Sequence, residues 1–300
     1  MTEMYDLIII GSGVAGCGAA IYARRFELKT LVLGDAEGGA IAATHLVENY
    51  PGSRSLSGFQ LARNLIEHAK GVGAEFKNTR VKSVEKVKNK FVVETANETF
   101  EAKSIILATG TSHRRLADVP GGIEFENKGV SYCATCDAPF YNGKVVALVG
   151  GSDSCVNESL ILAEHAAKVW ILYRGDKLRA EPINLRRLEG KKKIEVKTNV
   201  NVVEIFGGEK VEGVRLDNGE ELKLDGVFVQ IGRIPRSTLA EKLGVALNTK
   251  GEIKIDRYAH TNVPGVFAAG DVTDSDWKQV ITGVAEGAHA AHEVFEFLNS

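Results

Sequence analysis

Two of the four cysteines, Cys133 and Cys136, have two residues between them in Ser131-Tyr132-Cys133-Ala134-Thr135-Cys136-Asp137. Thiols this close can form a strained, easily reduced disulfide. Closing so short a loop removes little chain entropy, so such a bond is a poor staple and a good electron carrier. Asp137 follows directly, where a carboxyl could pass a proton to whichever thiolate leaves. The alternatives are a zinc half-site and two accidental neighbours. Zinc asks for about four ligands; the remaining cysteines, Cys17 and Cys155, are single and far apart, with no histidine at ligand spacing beside them. The residue types therefore favour a redox couple over a metal site.

A redox couple needs a source of electrons, and two stretches read as nucleotide sites. Asp6-Leu7-Ile8-Ile9-Ile10 is a short apolar run ending at Gly11-Ser12-Gly13-Val14-Ala15-Gly16, after which Ala-rich sequence continues to about Phe26. This is the pattern of a buried strand, a tight turn and a helix. Glycines at 11, 13 and 16 permit the turn, close approach of a pyrophosphate to backbone, and close packing of the helix, whose N-terminus faces the anion. The following strand, Thr30 to Leu33, lacks the usual terminal acid for a ribose, and Asp35 comes two residues later.

The pattern recurs. Lys144-Val145-Val146-Ala147-Leu148-Val149 is a second buried run, followed by Gly150-Gly151-Ser152-Asp153-Ser154-Cys155, a helix from about Val156 to His165 and a strand at Val169 to Leu172. Two copies of one nucleotide-binding unit are stronger evidence than either alone. The second copy ends in Tyr173-Arg174-Gly175-Asp176-Lys177-Leu178-Arg179, with no acid for a 2′-hydroxyl. Its arginines suit a 2′-phosphate, or form a solvated basic turn. Arg186, Arg187 and Lys191 to Lys193 read as a solvated surface or as a docking face for an acidic partner.

The elements that position these residues follow the same doubling. Ser57 and Gln60 suggest a capping box for a helix ending at Gly71. Val81 to Val87, Phe91 to Thr95 and Thr99 to Ala102 read as a small antiparallel excursion, before Ser104 to Ala108 returns to the first sheet. Glu195 to Thr198, Asn201 to Phe206, Val211 to Leu216 and Glu221 to Leu224 mirror that excursion, with Asp217-Asn218-Gly219 as a hairpin turn, and Gly226 to Ile231 is a second return. Val263 to Asp271 is a short strand whose acid emerges at the carboxyl end, where ligands sit in such sheets. A helix from about Gln279 closes the chain, with His289 and His292 read as packing or partly exposed residues. Its N-terminus supplies unpaired donors.

With 300 residues, 44% hydrophobic and 25% charged, the composition is that of a globular chain of about two domains. A net charge of -2 offers no basic field, which disfavours nucleic acid. Leu7 to Ile10 is too short for a signal core or membrane span, so a cytoplasmic protein is expected, and there close cysteines cycle more readily than they staple.

Taken together, these residues resemble the low-molecular-weight thioredoxin reductases. The marks are Gly11-Ser12-Gly13-Val14-Ala15-Gly16, Glu48-Asn49-Tyr50-Pro51-Gly52, Ala108-Thr109-Gly110, Cys133-Ala134-Thr135-Cys136-Asp137 and Gly265-Val266-Phe267-Ala268-Ala269-Gly270-Asp271, in family order. The resemblance implies an α/β chain of two Rossmann-like three-layer nucleotide-binding domains, the second inserted into the first, each with a small antiparallel β excursion. The FAD-binding domain would comprise residues 1–114 and 235–300, and the NADPH-binding domain, carrying the disulfide, residues 115–234. Gly11, Gly13, Gly16, Gly39, Asn49, Gly110, Asp271, Gln279 and Val280 would hold FAD; Gly150, Ser152, Asp153, Ser154, Arg174 and Arg179 would hold NADPH. Cys136 would face the flavin, Cys133 would attack thioredoxin or a glutaredoxin-like protein, and Asp137 would give and take the proton. Because disulfide and nicotinamide share one domain, that domain would rotate on hinges at Thr111 to Arg114 and Gly232 to Pro235. A homodimer is implied.

The chain departs from the family at several places. Ala40 and Lys278 replace a glutamine and an arginine. Ser152, Cys155 and Tyr173-Arg174-Gly175 replace the middle glycine, an alanine and a His-Arg-Arg triplet of the second turn. NADPH is the first choice of reductant; NADH, ferredoxin or a deazaflavin is the alternative, and a non-catalytic flavoprotein redox sensor is the other reading of the fold.

Overall fold

The computed structural model describes residues 4–300. It divides into two compact units, one made of the chain up to Ser112 together with Ile234–Ser300, the other of His113–Arg233. The two passages between them, Thr111–His113 and Arg233–Pro235, pair as a two-stranded sheet.

In the first unit the strands Glu75–Asn78, Thr30–Gly34, Met4–Ile10, Thr99–Leu107 and Val266–Ala268 run parallel in that spatial order. Leu7, Ile8 and Ile9 are wholly buried because the strand is covered on both faces. Ile8 and Ile10 enter one apolar cluster, and Leu7 and Ile9 enter the other, which holds Ala15, Ala19 and Ala23 of the helix Val14–Arg25. That helix crosses the C-terminal helix Val280–Asn299 at very short range. A Cβ on Gly18 would lie 2.6 Å from the Val284 carbonyl oxygen, and one on Gly287 would lie 2.1 Å from that of Ala15. Glycine at these two sites lets the last helix reach back to the first strand-turn-helix.

The antiparallel excursion forms from Ser83–Val87, Lys90–Glu94 and Thr99–Leu107. Here the structure differs from the expectation of separate strands at Thr99 to Ala102 and Ser104 to Ala108. They are one nine-residue strand, antiparallel to its neighbour at one end and parallel to Met4–Ile10 along most of its length. No Gly or Pro interrupts it, and Ser104 is accommodated by donating to the Asp6 carbonyl at 2.7 Å. The expected capping box is half formed: Ser57 Oγ accepts from Gln60 N at 3.1 Å, while the Gln60 side chain turns to Asn64.

The second unit holds a five-stranded parallel sheet in the order Ile194–Thr198, Lys168–Tyr173, Val145–Gly150, Gly226–Gln230 and Val130–Ser131, plus a three-stranded antiparallel sheet of Val202–Gly207, Val211–Leu216 and Glu221–Lys223. Asp217-Asn218-Gly219 makes the expected turn, with Gly219 at φ +86°. The strand Val130–Ser131 feeds directly into the cysteines, and the helix Asp153–His165 packs beside them.

Candidate active site

Cys133 and Cys136 are joined in a disulfide with their Cα atoms 5.4 Å apart. The pair starts and nearly ends a four-residue helix, Ala134–Asp137, with Cys133 as its N-cap. Cys133 Sγ accepts from the backbone N–H of Cys136 at 3.2 Å. An amide donor aimed at sulfur favours the thiolate once the bond opens. Ser131 links backbone and acid: its hydroxyl accepts from the Cys133 N–H at 3.2 Å and donates to Asp137 Oδ2 at 2.5 Å. Asp137 is thereby fixed beside the cysteines on which it is expected to act.

A cleft of about 170 Å³ opens here, lined by Glu126, Ser131, Tyr132, Cys133 and Asp137 among others. Tyr132 donates its hydroxyl to Glu126 Oε1 at 2.6 Å, and Arg115 Nε holds the same carboxylate at 2.6 Å. Burial, reinforced by the hydrogen bond to Glu126, pushes the Tyr132 phenol up to about 12, so it remains a neutral donor. The Arg115 hydrogen bond holds Glu126 below the usual carboxylate range despite its partial burial.

In the first unit the glycine turn meets the demands of an anion. Gly11, at φ +119°, allows no side chain, since a Cβ would lie 2.1 Å from the Ala108 carbonyl oxygen; a Cβ on Gly16 would lie 1.9 Å from that of Gly11. Gly13 is different. Its nearest protein atoms would be Gly39 Cα at 3.8 Å and Gly38 O at 3.9 Å. Gly13 is also the N-cap of its helix with no side chain capping the first turn. Space and unpaired N–H donors together fit the pyrophosphate of a flavin dinucleotide.

The remaining residues that the resemblance assigns to FAD lie in this unit. Asn49 Nδ2 donates to Gln279 Oε1 at 3.1 Å, and Gln279 is the N-cap of the C-terminal helix in a capping box with Thr282. Val280 is that helix's first residue. Gly110, at φ +62°, follows the strand Thr99–Leu107. Gly270 N donates to Glu286 Oε2 at 2.7 Å, and Lys278 ties the Asp271 and Thr273 carbonyls while pairing with Glu252 at 2.8 Å. Among the described residues the Asp271 carboxylate has no hydrogen-bond or ion-pair partner. Glu286 and Lys278 brace this loop from a distance in sequence, and no motif singles out Glu286. Asp35 is exposed and lies 3.8 Å from Arg80.

The second glycine turn has the same backbone and a different surface. Gly150 sits at φ +148° against the Gln230 carbonyl. In the first unit Gly34 closes the second strand, and a Cβ there would lie 2.4 Å from Ser12 Oγ; in the second unit Tyr173 closes the strand and its ring lies on the turn. A Cβ on Gly151 would meet that ring at 2.5 Å, and one on Gly175 at 2.6 Å. Arg179 N donates to Gly151 O at 2.6 Å, bringing the basic loop back onto the turn. Asp153 Oδ1 accepts from Glu181 N at 2.6 Å and Asn184 Nδ2 at 3.1 Å. Ser152, Ser154, Arg174 and Arg179 are exposed.

Cys17 and Cys155 are both buried and free, and burial pushes Cys17 up to about 12 and Cys155 well above the ordinary thiol range. Neither can supply a thiolate. Among the described residues no group of histidines, cysteines and acids could hold a metal. Two polar residues near the disulfide escape sequence reasoning, because nothing in a helical or strand pattern marks them. Glu158 Oε1 accepts from Gln230 Nε2 at 2.7 Å, and the same Nε2 donates to the Tyr132 carbonyl at 3.2 Å.

Comparison with known proteins agrees with this geometry. The chain is 40% identical over 303 residues to a thioredoxin reductase of Bacillus subtilis, covering 99% of this chain and 95% of that one. A thioredoxin reductase of Lactococcus lactis, solved in its FR conformation, superposes with a TM-score of 0.95 at 38% identity, covering 98% of this chain and 99% of that one. The T. acidophilum thioredoxin reductase gives a TM-score of 0.93 at 35% identity, covering 99% of each chain. The profile of the pyridine nucleotide-disulphide oxidoreductases matches residues 5–288. With the cysteine pair bonded, its acid in place and the sequence matched over nearly its whole length, the chain belongs to the pyridine nucleotide-disulphide oxidoreductase family.

Proposed function

We propose that this chain is an FAD-dependent thioredoxin-disulfide reductase that takes electrons from NADPH and delivers them through Cys133 and Cys136 to thioredoxin or a glutaredoxin-like protein. The observation that carries this reading is the Cys133–Cys136 disulfide with Asp137 locked beside it through Ser131. Bound FAD supplies the step between a two-electron hydride donor and a disulfide. Gly11, Gly13, Gly16, Gly39 and Gly110 leave room for it, while Asn49, Asp271, Gln279 and Val280 orient it. Cys133, whose sulfur receives the Cys136 N–H, is the thiolate that attacks the partner's disulfide. Ser131 holds Asp137 Oδ2, leaving Oδ1 to carry the proton for the leaving sulfur. Gly150, Ser152, Asp153, Ser154, Arg174 and Arg179 receive the nicotinamide dinucleotide, with the inserted unit turning on Thr111 to Arg114 and Gly232 to Pro235. The expected form is a cytoplasmic homodimer; among the described residues no helix is long and apolar enough to cross a membrane.

A second reading concerns the reductant alone. The Tyr173 ring lies where a side chain on Gly151 or Gly175 would go, and Gly175 supplies no arginine for a 2′-phosphate. This weakens the case for a 2′-phosphate, and NADH, or electrons from ferredoxin or a deazaflavin, is the alternative to NADPH. Anaerobic titration of the flavin-loaded protein with NADPH, NADH and dithionite decides between them, by which donor bleaches the flavin at stoichiometric amounts. Cys136→Ser is expected to keep flavin reduction and abolish thioredoxin turnover; retained turnover defeats the whole reading.

A further inference from the structure

Glu158 projects from the helix Asp153–His165 toward the start of the cysteine helix. Its surroundings are unusual for a carboxylate. Oε1 has one donor, Gln230, and Oε2 is buried with no hydrogen-bond partner. Burial pushes Glu158 up to about 7, and the Gln230 hydrogen bond, the amide of Ala134, the residue that follows Cys133, and the charge of Arg233 favour its ionised form without outweighing that burial. No other ionisable group near it adds a compensating positive charge among the described residues. Cys155, on its own helix, is a buried thiol held protonated, in part by the charge of Glu158 itself. Asp137, on the cysteine helix, is engaged by Ser131.

We propose that Glu158 is a positioning residue that couples a proton to the Cys133–Cys136 couple. This rests on the disulfide being redox-active, as proposed above. Two electrons from a dithiol reductant break the S–S bond and leave two sulfurs bearing two negative charges between them. One sulfur takes a proton and the other remains a thiolate. The new charge arises on the segment whose Ala134 amide faces this carboxylate, which lacks a full set of donors, and the two repel. Glu158 then takes a proton from solvent, so near neutral pH the two-electron reduction consumes two protons instead of one. Gln230, which bonds both Glu158 and the Tyr132 carbonyl, ties the carboxyl to the segment that carries Cys133.

The test is a titration of the disulfide in the FAD-loaded protein against a dithiol redox buffer between pH 6 and 8.5. Wild type is expected to show two protons per two electrons just above pH 7, and Glu158→Gln one. At pH 8 the variant's disulfide should be about tenfold easier to reduce, which is about 30 mV, and below pH 6.5 the two proteins should coincide. Glu158→Asp keeps the charge and should retain the two-proton slope. An unchanged slope and potential in a flavin-retaining Glu158→Gln protein overturns the coupling while leaving the reductase reading intact. A pair that does not titrate at all defeats both. Should the variants fail to fold, redox-difference infrared spectroscopy of wild type and Asp137→Asn serves: a protonated-carboxyl band must grow on reduction at pH 7.5 in both proteins, and its absence overturns the proposal.

Discussion

Asn49 and Gln279 are 230 positions apart in the chain, yet Asn49 Nδ2 lies 3.1 Å from Gln279 Oε1. The bond joins the Glu48-Asn49-Tyr50-Pro51-Gly52 loop to the cap of the C-terminal helix, so one contact fixes two residues assigned to the flavin. Asn49→Ala should release that loop and weaken FAD binding by roughly fivefold, the worth of one ordinary hydrogen bond. Flavin fluorescence during dialysis against guanidine-free buffer measures it, and the disulfide content should not change.

The three glycines of the first turn should respond differently to alanine. Gly11 and Gly16 face carbonyl oxygens at 2.1 Å and 1.9 Å, so a methyl group there forces backbone apart and should cost several kcal/mol of stability, roughly the upper range for a point change. A Cβ on Gly13 would make only ordinary van der Waals contacts, and its backbone is extended with φ -77°, so Gly13→Ala should leave thermal unfolding of the apoprotein nearly unchanged. It should nevertheless lose FAD. Equal unfolding temperatures for the Gly11 and Gly13 variants would contradict the assignment of that space to a ligand.

Asp137→Asn removes the proton carrier without disturbing the Ser131 bond, because an amide oxygen can accept the same hydroxyl. Turnover of protein disulfides should fall roughly a hundredfold, within the range for a lost general acid, with flavin content unaltered. Stopped-flow measurement should place the loss after reduction of the flavin.

Restoring the phosphate arginine requires two changes. Gly175→Arg alone sets a Cβ 2.6 Å from the Tyr173 ring and should damage the loop. Tyr173→His with Gly175→Arg should lower KM for NADPH by roughly tenfold, about what a charge-assisted bond to phosphate supplies. Steady-state kinetics on the single and double variants separates the two effects.

Glu158 also leaves a mark on folding. Its carboxyl is raised to about 7 in the folded chain, so between the ordinary carboxylate range and neutrality the native state holds a proton that the unfolded state has lost. Stability therefore falls as pH rises from about 4.5 to about 7 and stays low above that, by roughly 3 kcal/mol at most. Glu158→Gln should abolish this slope in denaturant unfolding at pH 5 and pH 8.

Local patterns alone identified the redox pair, the two glycine turns and their strands, because each depends on residues within one strand-turn-helix span. Cys136 and Asp137 lie on one short helix that Cys133 caps, and the alternation of buried and exposed residues needs only its neighbours to be read. The long strand Thr99–Leu107 was read as two because no local signal tells an uninterrupted strand from two that abut. Contacts that cross the chain were beyond such reading. Asn49 with Gln279, Glu286 with Gly270, Tyr173 over Gly151, and Glu158 with Gln230 are made by the packing of whole elements. Sequence settles what chemistry the chain carries, since that is a matter of residue type and short spacing; burial and long-range packing decide how each group is charged and held, and those exist only once the strands and helices have closed on one another.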